Sequence, residues 1–292
     1  MWTASARAKI NLHLAVHGRR PDGYHALTTV FQTIGLADTL TIVEHDGPFT
    51  LRCPGSDAPE DGSNLVVRAA HALASELGRP EPAGLRVTLD KQVPTQAGLG
   101  GGSADAMAAL RLLCEVWAVP AERDLLIRVG GRLGSDVPFF AWGGTALGLG
   151  RGDDISPLPP LPPLACAIVR PRFGVSTADA YRWVAESRVG APPPETAETP
   201  FEAPLHSDAW RACLSTCRND FEPVVAARHP DIAAAVAALR QAGAVLAMMS
   251  GSGSAIYGLF EREAEAASAL TLLVAETGWS GWLTATTAAA GA

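Results

Sequence analysis

Of the 23 basic residues in this 292-residue chain, Lys9 and Lys91 are the lysines and all the others are arginines. Solvated surface charges tolerate an exchange of lysine for arginine. A compact ammonium beside a phosphate, or beside an alcohol whose pKa it lowers, does not. Both lysines are therefore candidates for chemistry. Lys9 is followed two residues later by Asn11, and a cation beside a neutral amide suits an anionic ligand or an activated hydroxyl. The competing account makes this an ordinary amphipathic strand with a solvated outer face, and that account fits Arg7 and His13. Lys91 stands at the mouth of a glycine-dense loop, residues 94–104, with glycines at 98, 100, 101 and 102. A third candidate is Asp136, in Gly134-Ser135-Asp136-Val137-Pro138-Phe139-Phe140. It either caps the following helix or, in an apolar neighbourhood near a lysine, serves as a base.

The loop reads as an anion cradle because of its flanks. Leu85, Val87 and Leu89 alternate with polar residues, the period of a half-buried strand. Beyond the loop Met107, Leu110, Leu113, Cys114 and Trp117 recur at helical spacing, with Ser103 placed to cap the helix and Asp105 near its positive end. Glycines at a strand-to-helix turn let several N–H groups point at one anion at the helix N-terminus. Neither familiar glycine fingerprint fits. No Gly-Lys pair exists for a G-x-x-x-x-G-K-[ST] loop, and a G-x-G-x-x-G register ends on Ser103 or Asp105. A flexible loop without a ligand is the bland alternative.

These residues need elements to hold them. Ala8, Ile10, Leu12, Leu14 and Val16 take one face of an extended strand, with Lys9, Asn11 and His13 on the other. An Asp22-Gly23 turn leads to a second strand. Helices are expected over residues 64–77 and 122–133. The run Pro157-Leu158-Pro159-Pro160-Leu161-Pro162-Pro163 continues neither helix nor central strand and divides the chain into domains at 1–156 and 164–292. The second half alternates: strands at 165–169, 245–249, 255–260 and 282–286, and helices at 178–186, 231–241 and 263–276. A proline-rich stretch, 191–204, reads as an exposed loop. Such alternation indicates an α+β or α/β sandwich. Between two of these strands, residues 250–254 (Ser-Gly-Ser-Gly-Ser) form either a plain turn or a second wall for a phosphate.

A net charge of −7 argues against a nucleic-acid partner held on a basic face. Five cysteines without a C-x-x-C pair suit buried reduced thiols in the cytoplasm. The sequence shows no signal-peptide core and no apolar run of about 18 residues, so no membrane partner is expected.

Together these segments resemble the GHMP small-molecule kinases, whose members include galactokinase, homoserine kinase and mevalonate kinase. The matching stretches run in family order from Ala8 to Ser254. They are Ala8 to Leu12, Arg20-Pro21-Asp22-Gly23-Tyr24-His25, Asn64-Leu65, residues 94–105 and 133–140, Val175-Ser176-Thr177, Asn219-Asp220-Phe221-Glu222 and residues 250–254. The Asp-Gly-Tyr-His segment and Asp136-Val-Pro-Phe-Phe point to the bacterial branch that phosphorylates the 2-hydroxyl of the cytidine diphosphate ester of methylerythritol in non-mevalonate isoprenoid synthesis. The alternatives are another GHMP kinase, of homoserine or mevalonate type, and a non-catalytic nucleotide-binding module.

The resemblance implies an α+β architecture with an N-terminal domain like the second domain of ribosomal protein S5, a ferredoxin-like C-terminal domain and an active site between them. It implies ATP as co-substrate, Mg²⁺, a small-molecule substrate carrying a cytidine diphosphate group, and a monomer or homodimer. Pro94, Thr95, Gln96, Ala97, Gly98, Leu99, Gly100, Gly101, Gly102, Ser103 and Ala104 would wrap the ATP phosphates. Asn64, Leu65 and Lys91 would help hold the nucleotide, and Ser103 would offer a hydroxyl to the metal. Asp136 would take the proton from the alcohol and Lys9 would lower that alcohol's pKa. Asn11 and Thr177 would contact the substrate, and Tyr24 and His25 would grip the cytosine with Tyr181 as a further stacking face. One departure stands out: the family loop has two consecutive serines, and here the second is Ala104.

Overall fold

Alternating apolar residues make the two longest elements of this computed structural model, β1 (Trp2–Arg19) and β2 (His25–Pro48). The structure describes residues 1–21, 23–189 and 209–289; Asp22 of the sequence-predicted turn and the proline-rich stretch at 191–204 lie outside these. In chain order there follow β3 (Thr50–Arg52), α1 (Leu65–Glu76), β4 (Ala83–Asp90), α2 (Gly101–Val116), α3 (Arg123–Leu133), α4 (Phe139–Trp142), β5 (Thr145–Leu149), β6 (Asp154–Pro157) and β7 (Ala165–Arg170). The remainder comprises α5 (Thr177–Ser187), α6 (Ala209–Ser215), α7 (Glu222–Ala226), α8 (Pro230–Gln241), β8 (Leu246–Met249), β9 (Ile256–Phe260), α9 (Glu263–Thr277) and β10 (Ser280–Ala285).

The contacts divide the chain into two units that interleave along the sequence. The first comprises Met1–Ala8, Leu36–Thr95 and Gly100–Trp142. Here the C-terminal part of β2 pairs antiparallel with β4, from Thr39 opposite Asp90 to Glu44 opposite Leu85, and β3 adds to β4 in parallel. Period-2 alternation puts Leu40, Ile42, Leu85, Val87 and Leu89 on one face, where they bury against Ala70 and Leu73 of α1 and Leu110 and Leu113 of α2. Burying each such aliphatic side chain contributes roughly 1.5–3 kcal/mol. Asn64 caps α1, its Oδ1 accepting from Val66 N at 2.9 Å.

The second unit comprises Lys9–Gly35, Gln96–Leu99 and Gly143–Ala292. Its four-stranded antiparallel sheet has the order β10-β7-β9-β8. Strand β7, the helices α5 to α8, strands β8 and β9, helix α9 and strand β10 thus follow the β-α-β-β-α-β sequence of the ferredoxin-like motif. Its core joins Ile256, Phe260, Leu239 and Val225 to Leu14 and Val16 of β1.

Two local expectations are corrected. Ser103 does not cap α2. The cap is Gly100, in the left-handed region at φ +68°, and Ser103 lies in the first turn. His13 is not solvated but 1% exposed, whereas Arg7 is exposed. The outer face of β1 is covered in the second unit, where Leu14 N donates to Arg218 O at 2.8 Å and Asp220 N to Leu14 O at 2.9 Å.

Candidate active site

The second unit positions Lys9 and Asn11. Both are buried, and the Lys9 ammonium donates to Asn11 Oδ1 at 2.6 Å while lying 5.5 Å from the centre of the Phe31 ring. Asn11 Nδ2 donates to Thr29 Oγ1 at 2.8 Å, and Thr29 Oγ1 in turn donates to His13 O. A backbone bond from Lys9 N to Leu99 O (2.9 Å) sets this pair alongside the glycine loop. A compact ammonium beside a neutral amide suits the developing anion of an alcohol or a phosphate oxygen.

The Ser-Gly loop at 250–254 forms the backing of residues 97–99. Ser250 Oγ donates to Gly98 O at 2.9 Å and Ala255 N donates to Ala97 O at 3.1 Å. Gly98 has φ +78°, and a Cβ there would stand 2.0 Å from Ser250 O, so this approach requires glycine. Asn219 holds the serine loop from behind, its Nδ2 donating to Met249 O and Gly251 O, both at 2.8 Å. Glu222 Oε2 accepts from Met249 N, and Asp220 Oδ2 from Val16 N. The Asn219–Glu222 segment is thus scaffolding for the loop and strand.

Thr177 opens α5 after the cap Ser176 and meets Ser252 Oγ at 3.1 Å. One turn later Tyr181 stacks on His25, with ring centroids 5.0 Å apart and planes at 14°, and packs edge-on against Phe221. Burial, then the Arg19 and Arg188 cations, hold the His25 imidazole below its ordinary value. At neutral pH it is therefore uncharged, with one nitrogen donating and the other accepting, a match for the amine and carbonyl edge of a pyrimidine. Tyr24, 59% exposed, carries the Arg151 guanidinium 5.2 Å from its ring centre.

The first unit holds the remaining candidates. The first three residues of α2 are Gly101, Gly102 and Ser103, and the first backbone bond closing the helix is Ala104 N to Gly100 O (2.9 Å). The N–H groups of the first turn have no partner within the helix and point along its positive end. Leu65 lies against this end: a Cβ on exposed Gly102 would stand 3.6 Å from Leu65 Cδ1. Asn64 uses its amide locally, as helix cap and as donor to Pro59 O at 2.7 Å. Ala104 is 2% exposed and packs into the core, so a hydroxyl here would face apolar side chains.

Lys91 donates to Asp38 Oδ2 at 2.5 Å and to Asp105 Oδ2 at 2.7 Å. Asp38 Oδ1 accepts from Gln92 N and Val93 N, so the three side chains tie the end of β4 to the first turns of α2. Burial alone would lower the Lys91 pKa, but the two carboxylates outweigh it and raise the value. Burial pushes the Asp105 carboxyl up to about 7 against the pull of that ammonium. Sequence reasoning missed Asp38 and Asp105 as partners of Lys91. The signal was present in a buried-looking Leu-Ala-Asp-Thr-Leu at 36–40, with no cation beside it to explain the aspartate.

Asp136 occupies a tight turn between α3 and α4, with Val137 N bonded to Gly134 O (3.2 Å) and Phe140 N to Val137 O (3.1 Å). The turn is pinned from two sides. Val137 packs so closely on α3 that a Cβ at Gly130 would meet its Cγ1 at 2.8 Å. The Arg111 guanidinium, from α2, donates to Ala141 O at 3.0 Å.

Among the described residues no group of three or more His, Cys, Asp or Glu side chains is placed to hold a metal ion, and no helix is long and apolar enough to cross a membrane. The single hydroxyl of Ser103 at a helix N-terminus fits a Mg²⁺ that arrives on the phosphates of a nucleotide, keeping most of its waters.

Two family models match, GHMP kinases N terminal domain over residues 64–144 and GHMP kinases C terminal over residues 206–273. The chain is 44% identical over 266 residues to the 4-diphosphocytidyl-2-C-methyl-D-erythritol kinase of Moorella thermoacetica, covering 88% of this chain and 89% of that one. It is 43% identical over 273 residues to the kinase of the same name from Solibacter usitatus, covering 93% and 85%. Among solved structures, a crystal structure of 4-(cytidine 5'-diphospho)-2C-methyl-D-erythritol kinase superposes with a TM-score of 0.78 at 31% identity, over 99% of this chain and 100% of that one. A mevalonate kinase at 13% identity and TM-score 0.68, over 99% and 100%, shares the fold.

Proposed function

The chain belongs to the GHMP kinase family, and from that membership we propose how its residues carry out the reaction. It is an ATP-dependent kinase that phosphorylates the 2-hydroxyl of 4-diphosphocytidyl-2-C-methyl-D-erythritol in non-mevalonate isoprenoid synthesis. Asp136 takes the proton of that hydroxyl as its oxygen attacks the γ-phosphorus and ADP leaves. Lys9 lowers the pKa of the alcohol and stabilises the charge that develops. Phosphoryl transfer asks the protein mainly for positioning and charge stabilisation, which an amide cradle, one cation and one base supply. The observation that carries the reading is the buried Lys9–Asn11 pair, fixed by the bond from Lys9 N to Leu99 O beside the glycine loop. A surface cation would not be held in this way.

Residues 94–104 wrap the ATP phosphates, with Asn64 and Leu65 against the nucleotide. Lys91 serves that site by holding the loop between Asp38 and Asp105. Ser103 is the residue that would hold a Mg²⁺ arriving with the nucleotide, where the ion would offset phosphate charge. Asn11 and Thr177 contact the alcohol, and Tyr24, His25 and Tyr181 read the cytosine. The same reading takes 1–156 and 164–292 as the two family domains, supported by one match falling on each side of the proline run. It places the enzyme in the cytoplasm, as a monomer or homodimer. A coupled ADP-release assay over a panel of alcohols tests it. Turnover is expected with the cytidine diphosphate ester and not with methylerythritol phosphate, homoserine or mevalonate. Preference for any of the last three overturns the substrate assignment.

A further inference from the structure

Tyr24 follows Gly23 in the short connection between β1 and β2. Arg20 N donates to Tyr24 O at 2.7 Å, Gly23 N to Arg20 O at 3.0 Å, and Arg19 Nε to Gly23 O at 3.1 Å. These bonds hold the backbone at Arg20, Gly23 and Tyr24, while Tyr24 as a residue is more than half exposed. An exposed aromatic that must be ordered on ligand binding loses rotamer freedom at that moment and binds more weakly for it.

A second turn lies beside the first. Residues 150–153 join β5 to β6, with Gly152 N donating to Leu149 O at 2.9 Å, Gly150 at φ +69° and Gly152 at φ +88°. Leu27 N donates to Gly150 O at 2.8 Å, linking the two hairpin ends. Between the two glycines Arg151 projects its guanidinium over the Tyr24 ring. The guanidinium is itself immobilised: Nε and Nη2 donate to Asp153 Oδ2 at 3.0 and 2.5 Å, and Arg151 N donates to Asp153 Oδ1 at 3.2 Å. A planar cation clamped by a carboxylate makes a fixed plate against an aromatic face, in a way that a flexible ammonium does not.

We propose that Arg151, held by Asp153, is a positioning residue for the substrate's base: it presets the Tyr24 ring so that the cytosine meets an ordered aromatic face. This rests on the reading that Tyr24 grips the cytosine. Arg151 acts through Tyr24 and takes no part in the transfer step. Its effect therefore falls on KM for the cytidine diphosphate ester, leaving KM for ATP and kcat within about twofold.

The test is a double-mutant cycle on the intact enzyme with steady-state kinetics in both substrates. Arg151→Ala is expected to raise KM for the ester about two- to fivefold, the range of an exposed cation–π contact. Asp153→Asn, which unclamps the guanidinium, raises it in the same direction by less. In a Tyr24→Ala background Arg151→Ala has no further effect, because there is no ring left to orient. Circular dichroism melts should stay within about 2 °C, since Arg151 and Asp153 are half-buried and their ion pair lies near solvent, where such pairs add little stability. An Arg151 effect of equal size with and without Tyr24, or one that appears in KM for ATP, overturns the inference alone. So does a wild-type KM in both Arg151→Ala and Asp153→Asn. A Tyr24→Ala enzyme with wild-type KM for the ester overturns the cytosine reading, and this inference with it.

Discussion

Gly102→Ala separates the phosphate cradle from mere loop structure, because at this glycine stability and ligand binding should move in opposite directions. Gly102 is the second residue of α2, exposed, and without a left-handed φ. An added methyl would rest 3.6 Å from Leu65 Cδ1, in ordinary contact. Alanine is favoured over glycine in a helix by roughly 0.5–1 kcal/mol, so the variant should melt about 1–3 °C higher. If the ATP phosphates seat on the N–H groups of this first turn, the same methyl keeps them away. One charge-assisted hydrogen bond is worth about 1.5–3 kcal/mol, so affinity for a non-hydrolysable ATP analogue should fall roughly 10- to 150-fold. Scanning calorimetry and titration calorimetry on one preparation give both numbers. A raised melting temperature with unchanged affinity would refute the reasoning and remove the turn from the nucleotide site. The neighbouring glycines cannot supply this test. A Cβ at Gly101 would meet Val93 Cγ1 at 2.9 Å, and one at Gly98 would stand 2.0 Å from Ser250 O. Both substitutions strain the fold before any ligand arrives.

Asp136→Asn should keep its affinity for the ATP analogue and lose roughly 10²- to 10⁴-fold in kcat, the usual worth of a positioned base; near-normal turnover of the folded variant restores the helix-cap reading. Lys9→Arg should be nearly as inactive as Lys9→Ala in the ADP-release assay, because a guanidinium does not fit the buried space where Nζ sits 2.6 Å from Asn11 Oδ1. Lys91→Met leaves two buried carboxylates facing each other and should cost about 3–5 kcal/mol in urea denaturation, with Asp105→Asn in the same chain recovering part of it. Burial, with a contribution from Arg218, lowers the His13 pKa from 6.5 to about 4. Between those values the unfolded chain binds a proton that the native state excludes, so stability is lost as pH falls from about 6.5 towards 4. His13→Gln should remove roughly 2 kcal/mol of the difference in unfolding free energy between pH 7 and pH 5. An equal pH dependence in both proteins would show that His13 is not the titrating group.

Much of this protein is written in local patterns. The alternation in 85–89, the helical spacing from Met107 to Trp117 and the strand–helix alternation after residue 164 are properties of neighbouring residues, and the observed elements fall on them, although α2 begins six residues before Met107. Lys9, Asn11, the glycine loop and Asp136 stood out as candidates by residue type and spacing along one segment, while the roles proposed for them came from the family resemblance. The Ser103 cap failed because capping depends on backbone dihedrals, and a left-handed Gly100 starts the helix one turn earlier than a Ser103 cap would have. His13 failed because exposure of a strand face is decided by what packs on it, here a segment near residue 219, some 200 residues away in sequence. Partnerships across such separations leave no periodic trace. Lys91 with Asp38 and Asp105, Ser250 with Gly98, His25 with Tyr181 and Arg151 with Tyr24 each join segments whose local sequences are silent about one another. Local propensity and period determined the elements and the chemistry available. Only the tertiary structure decided which polar groups are buried together, because desolvation, which makes an ion pair tight or an imidazole neutral, is set by the whole chain closing around it.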